Sequence, residues 1–292
     1  MRSAASKVDV NVTVLGASGF VGKHLVAALR ARGDQVRTAS LRDPGVAAAA
    51  CAGAGAVVNL AGENVAQRWT PAVKERIRSS RVDAPRALLQ ALAKLDDPPN
   101  AYVSASAIGY YGTSEDDTFD ETSGPGRDFL AGVCAEWEAE AQRAEAFGAR
   151  VALVRTGLAL GTDGGALAKL LPLFKLGAGG VVASGRQWYS WIHIADLVGI
   201  YLAAIDGFAG ALDGTAPNPV RNAEFTTSFA RALHRPAFFP VPGFALQLVL
   251  GEGALVVAEG QRVLPARTTS LGYRFRFATI DEAFTDLFAR AS

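Results

Sequence analysis

Hydrophobic and polar positions alternate between two rhythms along the first half of the chain. "VNVTVLG" (Val10 to Gly16) is rich in β-branched residues and stops at glycine, the pattern of a buried parallel strand. In "GFVGKHLVAALRARG", Val21, Leu25, Ala28 and Leu29 fall at helical spacing, and Gly33 offers a C-cap. "QVRTASL" and "AVVNLAG" (Ala56 to Gly62) predict a second and a third strand. A long helix is expected from Pro71 to Leu95, then a strand entering "PNAYVSASAIGYYG", a helix over "RDFLAGVCAEWEAEA" (Arg127 to Ala141) and a strand over "RVALVRTGLALG". Strands alternating with helices imply right-handed crossovers and a parallel sheet covered on both faces. The fold class predicted is α/β, a doubly wound parallel sheet over residues 10–165 following a flexible tail, residues 1–9.

Beyond Gly165 the rhythm breaks, which suggests a smaller substrate-binding region over residues 166–292. "WYSWIHIADLVGIYLAAI" reads as a short strand and a helix that Asp196 is placed to start, and Asn222 is placed to cap a helix over "NAEFTTSFARALHR". "PAFFPVPGFALQLVLG" holds three prolines near its start and cannot be one element.

Composition narrows the partners. Among 292 residues, 29 basic and 28 acidic side chains leave a net charge of +1, which gives no general attraction for nucleic acid or a membrane. A small molecule in a pocket is the expected partner, and oligomerisation stays open. Cys51 and Cys134 are too few for a disulfide framework or zinc cluster, and His24, His193 and His234 lack metal-ligand spacing. No metal is expected. The start lacks the apolar core of a secretory signal, and "GFALQLVLGEGALVVAEG" falls short of the roughly 20 apolar residues that span a bilayer. A cytoplasmic protein is expected.

Chemistry enters at "GASGFVG". Gly16, Gly19 and Gly22 stand between a strand and a helix, where they let the backbone approach a pyrophosphate at the helix N-terminus. Ser18 and the Phe20 and Val21 amides are the candidate donors. An ordinary βα turn is the alternative, but the flanking strand and amphipathic helix both fit a Rossmann-type dinucleotide site. About 20 residues on, where an NAD site wants a carboxylate for the ribose, "TASLRDPG" puts Ser40 and Arg42 ahead of Asp43. A guanidinium suits a 2′-phosphate and a carboxylate repels it, so NADP(H) is the expected cofactor.

"GASGFVGKHL", "VNLAGENV", "RWTPAVKERIRSSRV", "SASAIGYYG", "FLAGVCAEWEAEA", "RTGLALGTDGGAL", "GRQWYSWIHIADL" and "EGQRVLPARTTSLGY" occur in this order. Together they resemble the epimerase branch of the atypical extended short-chain dehydrogenases/reductases, with a C-terminal extension. The resemblance implies NADP(H) binding, with Leu60, Ala61, Gly62 and Glu63 facing the nucleotide and Arg81 reaching inward from the next helix. For Arg81 a helix-surface ion pair is the alternative. Ordinary members carry a Tyr-x-x-x-Lys pair on the helix after the serine-bearing strand. Here Leu130 and Cys134 take those places, and no lysine lies between Lys94 and Lys169. Cys134 sits in an apolar stripe with Phe129, Val133 and Trp137, which points to packing and away from covalent catalysis.

Other side chains are candidates for the missing proton donor. Ser106 lies near the usual serine position, Tyr110 and Tyr111 follow on the loop, and His193 is an acid/base candidate or a structural histidine within "WIHI". Arg186, Trp188 and Trp191 suggest a substrate pocket, and Arg155 is placed to bind an acidic substrate or to neutralise Asp196. Two readings remain: an NADP(H)-dependent oxidoreductase or epimerase acting on a small carbonyl or hydroxyl compound, sugar-like or not, and a non-catalytic NADP(H)-binding sensor.

Overall fold

The computed structural model describes residues 10–289, so the tail expected over residues 1–9 lies outside the described residues. Strand β1 (Asn11–Leu15) leads through helix α1 (Phe20–Arg32) to β2 (Gln35–Ala39), and α2 (Pro44–Cys51) crosses back to β3 (Ala56–Asn59). Gly33 ends α1 in the left-handed conformation, φ 97°, as its position predicts.

The helix expected from Pro71 to Leu95 is two helices, α3 (Pro71–Arg81) and α4 (Asp83–Leu92). Pro85 in the first turn of α4 has no N–H to give the Arg81 carbonyl and crowds it, so the run breaks at Val82. Strand β4 (Ala101–Ala107) passes into a 3₁₀ turn (Ile108–Tyr111). Short β5 (Thr118–Phe119), α5 (Phe129–Gln142) and β6 (Arg150–Thr156) follow. "RVALVRTGLALG" also divides. Gly157 donates to the Gly214 carbonyl and Leu158 to that of Ser190, which turns β7 (Leu158–Leu160) out of the main sheet.

After α6 (Gly165–Lys175) come β8 (Trp188–Tyr189), β9 (Trp191–His193), α7 (Ile194–Asp206), β10 (Gly210–Gly214), β11 (Val220–Arg221) and α8 (Asn222–Ala232). The C-terminal part adds α9 (Gly243–Leu250), α10 (Leu255–Ala258), β12 (Arg262–Val263), α11 (Ala266–Ser270) and α12 (Ile280–Ala289).

Six parallel strands form the central sheet in the order β10-β6-β4-β3-β1-β2. Alternate residues serve opposite faces. Val12, Val14, Val58, Val103 and Val154 join α1 and α7 in one core; Leu15, Val57, Tyr102 and Leu153 join α2, α4 and α5 in the other. The fold is thus the expected doubly wound, Rossmann-like α/β sheet, but it is not confined to residues 10–165: β10 and its covering helix α7 come from beyond Gly165. A further core holds Trp191, Phe225, Phe229 and Phe284 between α6, α8 and α12.

Two expected helix starters act otherwise. Asp196 is fully buried and accepts from the Arg276 and Phe277 amides at 2.9 and 3.0 Å, while His193 Nδ1 caps α7 by accepting from Ala195 at 3.1 Å. Asn222 spends its side-chain oxygen on the Val182 amide at 2.9 Å. No helix among the described residues is long and apolar enough to cross a membrane.

Candidate active site

The sheet order reverses between β1 and β3, which opens a crevice at their carboxyl ends. Gly16 turns the chain there with φ 79°, and a Cβ on it would lie 2.9 Å from the Leu60 carbonyl carbon and the Ala61 nitrogen. A Cβ on Gly22 would collide with the Gly16 carbonyl oxygen. Both positions need glycine, which makes the turn a cradle and not merely a loop. Gly19 closes the turn by donating to Gly16 at 3.0 Å. No side chain caps α1 and its first turn has no acid, so the amides following exposed Ser18 and Gly19 suit an anion. Phe20 presses its ring on Gly161, Gly164 and Gly165, pinning that loop to the start of α1, and half-buried Val21 packs beside it on the first core.

Opposite this turn, Leu60 donates to the Leu15 carbonyl at 2.9 Å and Ala61 to Asn59 Oδ1 at 3.1 Å. Gly62 faces Arg81, and Glu63 is held by Ser80 and Gln67. Ser40 and Arg42 stand exposed at the end of β2. Asp43, the residue at odds with a 2′-phosphate, uses Oδ1 to accept from the Gly45 and Val46 amides at 3.0 and 3.1 Å. Its carboxylate is a cap for α2.

Arg81 is not a surface ion pair. Its guanidinium lies 5.1 Å from the Trp137 ring centroid and donates to the Ile77 carbonyl at 3.3 Å. Among the described residues no carboxylate lies within ion-pair distance of it. Burial holds its pKa below the ordinary arginine value, partly offset by Cys134 and Glu63. Cys134 itself is buried, and burial pushes its thiol up to about 12 against the pull of Arg81. It is a packing residue, as the apolar stripe predicts. Leu130 packs toward Gly109.

Glu138, four residues beyond Cys134, anchors a buried polar network that the sequence did not reveal. Its carboxylate takes Arg155 in two bonds of 2.8 and 2.7 Å and accepts from Ser106 at 2.6 Å. Arg155 also donates to the Tyr111 hydroxyl at 2.9 Å, and that hydroxyl donates to Asp213 at 2.8 Å. Ser106, Tyr111, Arg155 and Asp213 are all buried. Burial works against the Arg155 charge, but Glu138 and Tyr111 together outweigh it and hold the pKa above normal. Burial, then the Asp213 charge, raises that of Tyr111. Arg155 thus neutralises Glu138 and not Asp196, and it spends donors on Glu138 and Tyr111 inside the protein.

The aromatic pocket expected from "GRQWYSWIHIADL" separates. Trp191 is fully buried, donates to the Asn218 carbonyl at 3.0 Å and belongs to the C-terminal core. It is a core residue and not a substrate contact. His193, also buried, caps α7, lies 3.4 Å from Asp286 and packs on Phe277. Trp188 and Arg186 remain outside, tied to the Glu115 carbonyl at 2.9 Å and its carboxylate at 3.1 Å. Arg221 and Arg262, which carried no signal in the sequence, lie 3.8 and 5.2 Å from the Trp188 ring centroid. Tyr110 is half-buried with the Arg155 guanidinium 3.6 Å from its ring centroid, and its hydroxyl has no hydrogen bond among the described residues. No metal-binding cluster of His, Cys, Asp or Glu occurs among the described residues.

Comparison with known proteins shows the family and the fold. Residues 12–216 match the model of the NAD dependent epimerase/dehydratase family, and residues 241–287 a domain of unknown function. The Arabidopsis thaliana "Epimerase family protein SDR39U1 homolog, chloroplastic" is 42% identical, with 96% of this chain and 87% of that protein covered. Human epimerase family protein SDR39U1 is 37% identical over 96% of this chain and 100% of its own length. A crystal structure of that human protein (isoform 2) with NADPH superposes with a TM-score of 0.89 at 36% identity, covering 95% of this chain and 98% of the other. A Thermotoga maritima UDP-glucose 4-epimerase, 14% identical with a TM-score of 0.77, shares the fold.

Proposed function

The chain belongs to the NAD dependent epimerase/dehydratase family, and we propose that it is an NADP(H)-dependent oxidoreductase or epimerase in which Tyr110 is the proton donor. The cradle at Gly16 and Gly22, the uncapped start of α1, Asp43 spent as a helix cap and Arg42 exposed beside it all fit a phosphorylated dinucleotide. So does the human relative crystallised with NADPH. Bound NADP(H) supplies or accepts the hydride. Around it, the α1 amides hold the pyrophosphate, Arg42 meets the 2′-phosphate, and Arg81 adds positive charge beside Gly62. The substrate in this reading is a small carbonyl or hydroxyl compound.

One observation carries the choice of Tyr110. Of Ser106, Tyr110, Tyr111 and His193, it alone has its polar atom uncommitted. Arg155 fixes the ring by stacking on it, so the hydroxyl has a set position from which to give or take a proton. The sensor reading has support of its own, because the other three groups are locked into structure. NADPH fluorescence against a panel of aldehydes, ketones and nucleotide sugars separates the two. Turnover that disappears in Tyr110→Phe at unchanged NADPH affinity supports the enzyme. Tight NADPH binding without turnover of any compound supports the sensor.

A further inference from the structure

Ten large hydrophobic side chains stand exposed among the described residues, and six of them, Leu173, Leu176, Phe238, Phe239, Phe244 and Leu248, occur on two neighbouring segments. The segments run side by side. Arg235 donates to the Lys175 carbonyl at 3.1 Å, Phe239 to that of Gly179 at 3.4 Å, and Val241 bridges Val182. On α6 and its C-cap, Lys169, Pro172, Leu173 and Leu176 recur at steps of three and four and are all exposed, while Leu167 and Phe174 face the core. Phe244 and Leu248 repeat at four residues along α9, 67% and 71% exposed.

The near-neutral net charge hides a local segregation on this face. Residues 165–195 and 225–251 contain no Asp or Glu, yet they bring Lys169, Lys175, His234 and Arg235 to the apolar patch; the exposed carboxylate just beyond α9, Glu252, is paired with Lys74. Among the described residues no carboxylate lies within ion-pair distance of Lys169, Lys175 or Arg235. Aromatic and leucine side chains rimmed by unpaired cations have the chemistry of an interfacial membrane contact. A second copy is a poorer occupant, since a two-fold contact through this face would set these cations against themselves. We infer that this face docks on the surface of an anionic lipid bilayer. Phe238, Phe239, Phe244 and Leu248 enter the boundary between headgroups and acyl chains, and Lys169, Lys175 and Arg235 meet the headgroups.

Cosedimentation of the full chain with vesicles tests this, using phosphatidylcholine alone and phosphatidylcholine mixed with phosphatidylserine. Binding is expected to the mixed vesicles and to weaken with added salt. Phe238→Ser with Phe239→Ser should reduce it about tenfold or more, and Lys169→Glu with Lys175→Glu about fivefold or more. These side chains are exposed, so both variants should keep the wild-type Tm; should the serine pair fail to fold, the glutamate pair carries the test. Absence of wild-type binding to mixed vesicles overturns the inference. So does equal binding to both vesicle types that neither variant changes, or wild-type self-association that the serine pair abolishes without any vesicle binding.

Discussion

Removing one oxygen atom, in Tyr111→Phe, separates a structural role from a chemical one. The hydroxyl accepts from Arg155 at 2.9 Å and is the sole donor to the buried Asp213 carboxylate among the described residues, at 2.8 Å. Packing survives the change, because the ring keeps its stack on Phe119 at 5.4 Å. A hydrogen bond to a charged, buried partner contributes about 1.5–3 kcal/mol, so the variant should lose about 2–3 kcal/mol. At roughly 2–4 °C per kcal/mol for large domains, its Tm falls by about 5–10 °C.

The loss should also depend on pH. Burial, then the neighbouring Glu121 charge, holds the Asp213 carboxyl well above its ordinary value, while Tyr111 is the strongest opposing influence. Phenylalanine therefore raises it further. A folded-state pKa above the unfolded one means that the native state binds the proton more tightly. That contribution to stability is complete below the ordinary carboxylate range and is lost as pH rises through the folded value. The deficit of Tyr111→Phe should thus grow with pH across this window and shrink in acid. Thermal melts followed by circular dichroism at several pH values measure it. A variant that matches the wild-type Tm at every pH refutes the reasoning. Lost turnover at unchanged Tm would instead make Tyr111 the proton donor.

Gly22→Ala puts a methyl group against the Gly16 carbonyl and should remove the NADPH-induced rise in Tm; a wild-type rise contradicts the cradle. Arg42→Ala should weaken NADPH about tenfold and spare NADH by calorimetry, and an equal loss for both would deny Arg42 the 2′-phosphate. Asp43→Ala should cost about 1 kcal/mol as a lost cap and leave the ratio of NADPH to NADH affinity unchanged. Cys134, with its thiol pushed up to about 12 by burial, should resist iodoacetamide until the protein unfolds. Rapid labelling of native protein would restore it as a candidate nucleophile.

The central sheet was legible because period-two strands and 3.6-residue helices are local signals, and the glycine turn because its geometry is built within seven residues. The division of "RVALVRTGLALG" was not, since it depends on Gly157 and Leu158 finding carbonyls on Gly214 and Ser190. Trp191 looked like a pocket residue because an aromatic side chain carries no mark of the core it enters, whereas the alternation in "WIHI" already offered His193 the structural role it takes. Arg155 stood out in the sequence, but its partner Glu138 and the Tyr111–Asp213 bond were hidden for a related reason. Partners 17 and 102 residues apart in sequence meet only through the sheet and α5.

That network and the absent Tyr-x-x-x-Lys pair have one origin in α5. Leu130, Cys134 and Glu138 follow at four-residue steps on one stripe. By the family resemblance Leu130 and Cys134 stand where ordinary members carry tyrosine and lysine, and Glu138 lies one further turn along, about 6 Å away. There it recruits Ser106 from β4 and Arg155 from β6, and through Arg155 it engages Tyr111. Through these bonds α5 is tied to the sheet. If the cleft performs proton transfer, the group must come from outside α5, and Tyr110, whose ring lies on the Arg155 guanidinium, is the phenol this arrangement leaves free.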